Sequence, residues 1–166
     1  NTGQTFNGSS GDGGGDNGNG GGSEPDLTPI YEIQGAAQTS PLEGQTVTTR
    51  GIVTAVDSNG FYMQDAQGDG DIATSDGIFV FTGSRPSVNV GDDVEAEGSV
   101  SEFIPGGAST GNLSTTQLFR PDFTVLSSGN PLPDAVILGE GGRVPPNQII
   151  DNDTPPEKYN VLRSEE

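Results

Sequence analysis

Residues 46–56 read TVTTRGIVTAV, a run dominated by β-branched side chains and interrupted by Gly51. Val, Ile and Thr favour strands, and a glycine inside a strand is typical of a bend or of a close approach by other backbone. Asn59-Gly60 follows as a hairpin-turn signal. The stretch therefore predicts a long, bent strand that pairs with a shorter strand over Phe61–Gln64.

Three further strands are predicted downstream, and no segment shows a convincing helical pattern. They lie over Ile78–Thr82, Val94–Phe103 and Thr115–Leu126, and in the second of them Val94, Ala96 and Val100 alternate with polar residues. Because an open sheet of five such strands would leave apolar edges exposed, we predict that it closes into a small barrel. The fold class predicted is all-β, a five-stranded OB-like barrel.

The barrel is predicted over residues 29–130, between two segments of different composition. Residues 1–28 are predicted to be a Gly/Asn-rich arm or linker, since the first 24 residues contain ten Gly, four Asn and a single apolar side chain, Phe6. Residues 131–166 lose the strand alternation and are rich in proline. We predict an extended tail that packs along the barrel or leads to another domain.

The composition excludes most catalytic chemistry. The 166 residues include 24 acidic and six basic side chains, a net charge of -18, with neither Cys nor His and only 29% hydrophobic residues. Without thiols or imidazoles there is no thiol nucleophile and no Ser-His-Asp triad, so we predict that the chain is not an enzyme. No apolar run is long enough to span a membrane. Abundant Asp, Asn, Gly and Thr, with little Lys, suit a secreted or cell-surface bacterial protein.

Several motifs in sequence order resemble a bacterial family. The segments TTRGIVTAV, GFYMQD, ATSDGIFVF, VGDDVEAEGSVSEF and TTQL, within Pro29–Leu126, resemble the OB-like domain of secreted, sugar-nonspecific nucleases. In that family the domain lies upstream of an endonuclease/exonuclease/phosphatase-type catalytic domain. The resemblance implies the OB-like module and a secreted location. It does not imply nuclease activity, because the family's catalytic Asp, Asn and His residues have no counterpart here.

The loop DAQGDGDIATSD, residues 65–76, is the strongest candidate metal site. Calcium loops place oxygen ligands at alternating positions around a glycine, and the candidate ligands here are Asp65, Gln67, Asp69, Asp71 and Asp76. The flanking strands distinguish this loop from an EF-hand. The alternative is a solvated acidic turn between the second and third strands. A weaker candidate is Asp151-Asn152-Asp153, for which a simple turn bounded by proline is favoured.

Aromatic side chains and the N-terminal arm are the candidate interaction elements. Phe79 and Phe81 share one face of their strand, with Ile78 and Val80 on the other, a pattern typical of a core face plus a second, covered face. The aromatic residues of the barrel could also stack nucleic-acid bases. However, residues 29–130 carry 13 acidic and three basic side chains, so nucleic-acid binding by this chain alone is disfavoured.

The preferred function is a non-catalytic secreted module that contacts copies of itself or another domain of the same protein. The stretch TGQTF (Thr2, Gln4, Thr5 and Phe6 among its residues) is compatible with a β-strand, so a tethered strand docking on the next copy would build a head-to-tail fibre. Calcium is expected to stabilise the acidic loop. The alternative is an accessory OB-like domain of a secreted nuclease, which helps to position nucleic acid or the catalytic domain.

Overall fold

The computed structural model describes residues 26–142. Its regular secondary structure is one five-stranded sheet with little helix. All five predicted strands are confirmed, each with ends within one residue of the predicted bounds. The elements are α1 (Ile30–Gln34), β1 (Thr46–Val56), β2 (Gly60–Gln64), β3 (Gly77–Phe81), β4 (Asp93–Phe103), a 3₁₀ turn (Ala108–Thr110) and β5 (Thr115–Ser127).

The five strands form one sheet in the order β1-β2-β3-β5-β4, and β4 pairs back with β1 to make a closed barrel. β1 pairs with β4 through Thr46–Ile52 and with β2 through Ile52–Val56, so Ile52 belongs to both pairings. Only β3 and β5 run parallel. Closure leaves no long edge of the sheet open to pairing with another chain.

Gly51 lies where β1 passes from one partner strand to the other. A Cβ atom at this position would lie 2.8 Å from the carbonyl oxygen of Gln64 and 3.1 Å from Cδ1 of Ile30. A glycine is therefore required here, because backbone and a side chain approach β1 closely. Close approach was one of the two explanations that the sequence offered for a glycine inside the strand, the other being a bend.

The core consists mainly of aliphatic side chains from alternate positions of the strands, together with Phe61 of β2 and two isoleucines of α1. The predicted alternation is confirmed in β4, where Val94, Ala96 and Val100 are buried while Glu97 is exposed. The fully buried larger apolar side chains are Ile30, Ile33, Val53, Phe61, Met63, Ile78, Val80, Val94, Val100 and Leu118. Their burial supplies most of the stabilisation, at about 1.5–3 kcal/mol for each large side chain.

The prediction that no segment is helical is wrong for Ile30–Gln34. Here α1 forms a single turn that contacts β1 and β3. Ile30 and Ile33 are completely buried. Nε2 of Gln34 donates a hydrogen bond of 2.7 Å to the carbonyl oxygen of Gly77 at the start of β3. Five residues are too few to show helical periodicity, and the turn is stabilised by packing rather than by propensity.

The chain after β5 forms no helix or strand over residues 131–142 and exposes several apolar side chains. Leu132, Ile137 and Leu138 are 49%, 63% and 58% exposed. The proposed arm residues Thr2, Gln4, Thr5 and Phe6, the second acidic segment at residues 151–153 and most of the tail lie outside the described residues. Within residues 26–142 no helix has the length and apolar character to cross a bilayer.

We predict that α1 is part of the cooperative core. Ile33→Ala removes a completely buried side chain and is expected to lower the free energy of unfolding by about 2–5 kcal/mol. Ile137→Ala makes the same change at a site that is 63% exposed, and it should alter stability by less than about 0.5 kcal/mol. Urea unfolding followed by circular dichroism measures both. Equal effects would contradict the packing of the helix into the barrel.

Candidate binding groove on the outer face of the sheet

The outer face of β2, β3 and β5 carries a row of aromatic rings. Strand alternation in β3 turns Ile78 and Val80 into the core, and it leaves Phe79 and Phe81 half-buried on the outside. The predicted shared face of the two phenylalanines is therefore confirmed. The register places Tyr62 of β2 opposite Phe79, which sets the two rings on one face.

These rings form two contacts across neighbouring strands. The ring centroids of Tyr62 and Phe79 are 4.8 Å apart. Phe81 and Phe119 are 5.5 Å apart and nearly parallel, at 13°. Gly60 makes room for this layer, because a Cβ atom there would lie 2.6 Å from Cζ of Phe79. Aromatic pairs of this geometry are worth about 0.5–1.5 kcal/mol beyond their buried area, so they rigidify the surface.

The rings line a groove of about 380 Å³, which we call the aromatic groove. Its aromatic walls are Tyr62, Phe79, Phe81, Phe103 and Phe119, and its remaining lining residues are Asp57, Asn59, Pro105, Thr115 and Gln117. Phe103 and Phe119 remain 52% and 40% exposed. A concave apolar surface with a few polar groups at its rim is typical of a binding site.

The lining of the aromatic groove offers stacking surfaces and a few hydrogen-bonding groups. Asp57 is the single carboxylate among its lining residues, and the other hydrogen-bonding side chains are the amides of Asn59 and Gln117 and the hydroxyls of Tyr62 and Thr115. Flat apolar or aromatic groups could stack on the rings, while the exposed Asn59 and the largely buried Gln117 offer donors and acceptors.

Sequence reasoning treated the barrel aromatics as one set, and the structure divides them. Phe61 is completely buried and packs edge-on against Phe123, with centroids 5.5 Å apart, so neither ring lines the groove. Phe103 and Phe119 join Phe79 and Phe81 through the pairings of β5 with β3 and β4. The residues of these pairs are far apart in the sequence, so no local pattern predicts the grouping.

The acidic loop, residues 65–76, uses its carboxylates as acceptors for its own backbone amides. Oδ1 of Asp65 accepts hydrogen bonds from the amides of Gln67 and Gly68, at 3.0 and 3.1 Å. Oδ1 of Asp69 accepts from the amide of Asp71 at 2.8 Å. These are the local turns that aspartate side chains favour.

Two more carboxylates behave in the same way. Oδ1 of Asp71 accepts from the amide of Ala73 at 2.9 Å, and Oδ1 of Asp76 accepts from the amide of Asp69 at 3.3 Å. Across residues 26–142, no three acidic side chains are grouped so as to hold a metal ion. Calcium requires six to eight converging oxygens, so binding would require the loop to rearrange. Calcium binding by Asp65, Gln67, Asp69, Asp71 and Asp76 stays a prediction.

The turns of the acidic loop can be tested apart from any metal. In EGTA, Asp65→Ala removes the acceptor for two amides and is expected to lower stability by about 1 kcal/mol. Asp65→Asn retains Oδ1 and should lie close to the wild type. Thermal unfolding measures both variants, and equal melting temperatures for Asp65→Ala and the wild type would contradict the turn role.

The calcium prediction is tested by the same measurement on the wild type with Ca²⁺ and with EGTA. Ligation is expected to raise the melting temperature in Ca²⁺, because an ion that binds only the folded state stabilises it. Asp69→Asn should abolish that increase, since it removes a charged ligand and retains Oδ1, which accepts from the amide of Asp71. Identical melting temperatures for the wild type in the two buffers would contradict calcium binding.

Comparison with known proteins identifies no relative of this chain: no family model, curated protein or solved structure matches it. The similarity to nuclease-associated OB-like domains therefore stays a prediction, and the aromatic groove has to be interpreted from its own chemistry.

Proposed function

We propose that this chain is a non-catalytic, secreted interaction module with an OB-like barrel, which associates with copies of itself through the aromatic groove. The observation that carries the proposal is the row of five aromatic side chains on the outside of a closed sheet. In OB barrels the outer face of strands two and three is the usual binding surface. The groove occupies that face and extends onto β5.

The exposure of the groove supports a binding role. The interior of the barrel is already filled by Phe61 and aliphatic side chains, so the rings of the aromatic groove are not needed to complete the core. Phe103 is 52% exposed and Phe119 40%, which leaves apolar ring surface in water. A contiguous apolar surface rimmed by polar groups is typical of an interaction site, since its burial by a partner is favourable by about 25 cal/mol per Å².

The proposed occupant is the stretch Thr2–Phe6 of a second copy. Phe6 is the only large apolar residue before Asp26, and its ring matches the stacking surfaces of the groove. The chain between Phe6 and Asp26 can span at most about 70 Å when fully extended, which is enough to reach a neighbouring molecule. A contact between one copy's arm and the next copy's groove is heterologous, so its repetition builds a chain or a ring.

Sedimentation velocity over a range of concentrations tests the proposal on the full chain. The wild type is expected to associate, and Phe6→Ser and Phe103→Ser should each weaken association by at least about tenfold, or 1.4 kcal/mol. Phe103 is half-exposed, so its replacement should leave the barrel folded, as circular dichroism would verify. Ile137→Ser is the control, because it makes a similar change at an exposed site outside the groove.

Two results would overturn the self-association proposal. One is a wild type that stays monomeric at every concentration. The other is a Phe6→Ser variant that assembles like the wild type, which would show that the arm is not the occupant of the groove.

A second candidate function is the positioning of single-stranded nucleic acid, and one contact favours it. The guanidinium of Arg120 lies 5.3 Å from the centroid of the Phe119 ring, which itself stacks on Phe81. Surfaces that bind single strands combine aromatic rings with cations in this way. The 13 acidic and three basic side chains of residues 29–130 oppose it, because binding to phosphates depends on a net excess of cations.

We predict that the negative charge of the barrel outweighs the stacking contacts and prevents nucleic-acid binding. Fluorescence anisotropy with a labelled 15-nucleotide oligothymidine should show no saturable binding up to about 100 μM protein at physiological salt. Saturable binding that weakens steeply with salt and is lost in Phe119→Ser would instead favour the nucleic-acid function.

A further inference from the structure

A second depression lies where residues 82–87 pass alongside β5. Its volume is about 500 Å³. Its polar lining groups are two arginines and three hydroxyl side chains, and we call it the basic pocket: Thr82, Ser84, Arg85, Ser87 and Arg120, with Phe123 as part of its apolar wall.

The basic pocket collects most of the positive charge of the barrel. Residues 26–142 contain three cationic side chains, Arg50, Arg85 and Arg120. Arg50 is paired with Asp93 through two hydrogen bonds of 2.9 and 2.6 Å. Over the same residues that pair is the one salt bridge, so the guanidinium groups of Arg85 and Arg120 have no carboxylate partner.

The backbone at Arg120 is unusual. Its φ of 45° is the single positive value for a residue other than glycine within residues 26–142. The register of β4 and β5 shifts here, between Glu97 and Ser99, and Pro121 follows directly. A left-handed conformation costs a side-chain-bearing residue about 1–2 kcal/mol, and strain of this kind is concentrated at functional sites. At this position the guanidinium of Arg120 lies over the ring of Phe119.

The acidic loop and the basic pocket lie at opposite ends of one strand. The loop at residues 65–76 leads directly into β3, and Thr82 follows the last residue of β3. Asp69 and Asp71 are exposed at the first end. No Lys or Arg occurs between Arg50 and Arg85, so the acidic end carries no nearby cation in the sequence.

We propose that the basic pocket of one copy binds the Asp69 and Asp71 carboxylates of a second copy's acidic loop. Guanidinium groups bind carboxylates through paired, charge-assisted hydrogen bonds. A basic end that meets an acidic end is a head-to-tail contact. The inference rests on the proposed self-association, to which it adds a polarity and a second, electrostatic contact.

The last residues before α1 contact the first half of β1. The amide of Thr28 donates to the carbonyl oxygen of Thr48 at 2.7 Å, so the arm joins the barrel near the start of β1. β1 ends at the turn to β2. In this turn the carbonyl oxygen of Asn59 accepts a hydrogen bond from the amide of Thr82 at 3.0 Å. Thr28 therefore pairs with the half of β1 that lies away from the turn beside the basic pocket.

A charge-swap experiment on the full chain tests the inference. The pocket-reversed variant carries Arg85→Glu and Arg120→Glu, and the loop-reversed variant carries Asp69→Arg and Asp71→Arg. Each alone places like charges in the contact, so each should associate at least about tenfold more weakly than the wild type in sedimentation velocity. An equimolar mixture should regain association, because the reversed pocket of one variant complements the reversed loop of the other.

A variant with neutral side chains controls for structural disturbance of the acidic loop by charge reversal. Asp69→Asn with Asp71→Asn retains the Oδ1 acceptors of the loop turns and removes both charges, so it should weaken association while leaving the melting temperature close to that of the wild type. High salt should have the same effect on the wild type, because the screening length falls to about 3 Å at 1 M.

The outcomes separate this inference from the proposed function. If both reversed variants associate like the wild type while Phe6→Ser does not, the groove contact stands and the basic-pocket contact is overturned. A mixture that fails to regain association also overturns it. If the wild type binds oligothymidine and the pocket-reversed variant loses that binding with self-association unchanged, the pocket is a phosphate site and the acidic-loop contact is wrong.

Discussion

The double pairing of β1 is the constraint on which the rest of this structure depends. Its first half hydrogen-bonds to β4 and its second half to β2, with Ile52 shared between the two. This exchange of partners requires the strand to pass close to Gln64 and Ile30 at Gly51, where no side chain fits. Because β4 can then close the sheet on β1, the chain gains an interior despite its low hydrophobic content.

Closure also determines what the outside of the barrel presents. Once aliphatic side chains fill the interior, the alternate positions of each strand face outward. On β4 those positions include Glu95 and Glu97, so that part of the surface is acidic. On β2, β3 and β5 they carry aromatic rings, and the register stacks Phe81 on Phe119. The same alternation thus produces a charged face and an apolar face, and it gives the proposed interaction surface a rigid base.

The acidic loop and the two arginines of the basic pocket lie at opposite ends of β3. Each aspartate of the acidic loop is used locally as a hydrogen-bond acceptor, which explains the ordered turns without invoking an ion. At the other end of β3, the register shift between β4 and β5 presents Arg120 beside Arg85. The two arginines and the acidic loop thus lie at opposite ends of β3, and the large net charge of the chain opposes non-specific association.

The sequence by itself determined the five strands, their bounds and the inward alternation of β4, because these depend on local β propensity and a two-residue period. It also determined that Phe79 and Phe81 share a face. Only the tertiary structure decided that α1 completes the core, that Phe103 and Phe119 join the groove, and that two arginines distant in sequence meet in one pocket. Those features depend on the register of pairings between residues far apart in the chain, which local patterns do not encode. The calcium site was suggested by spacing alone, because spacing identifies the side chains that carry oxygen atoms. The directions in which those oxygens point are set by the folded backbone, which spacing does not encode.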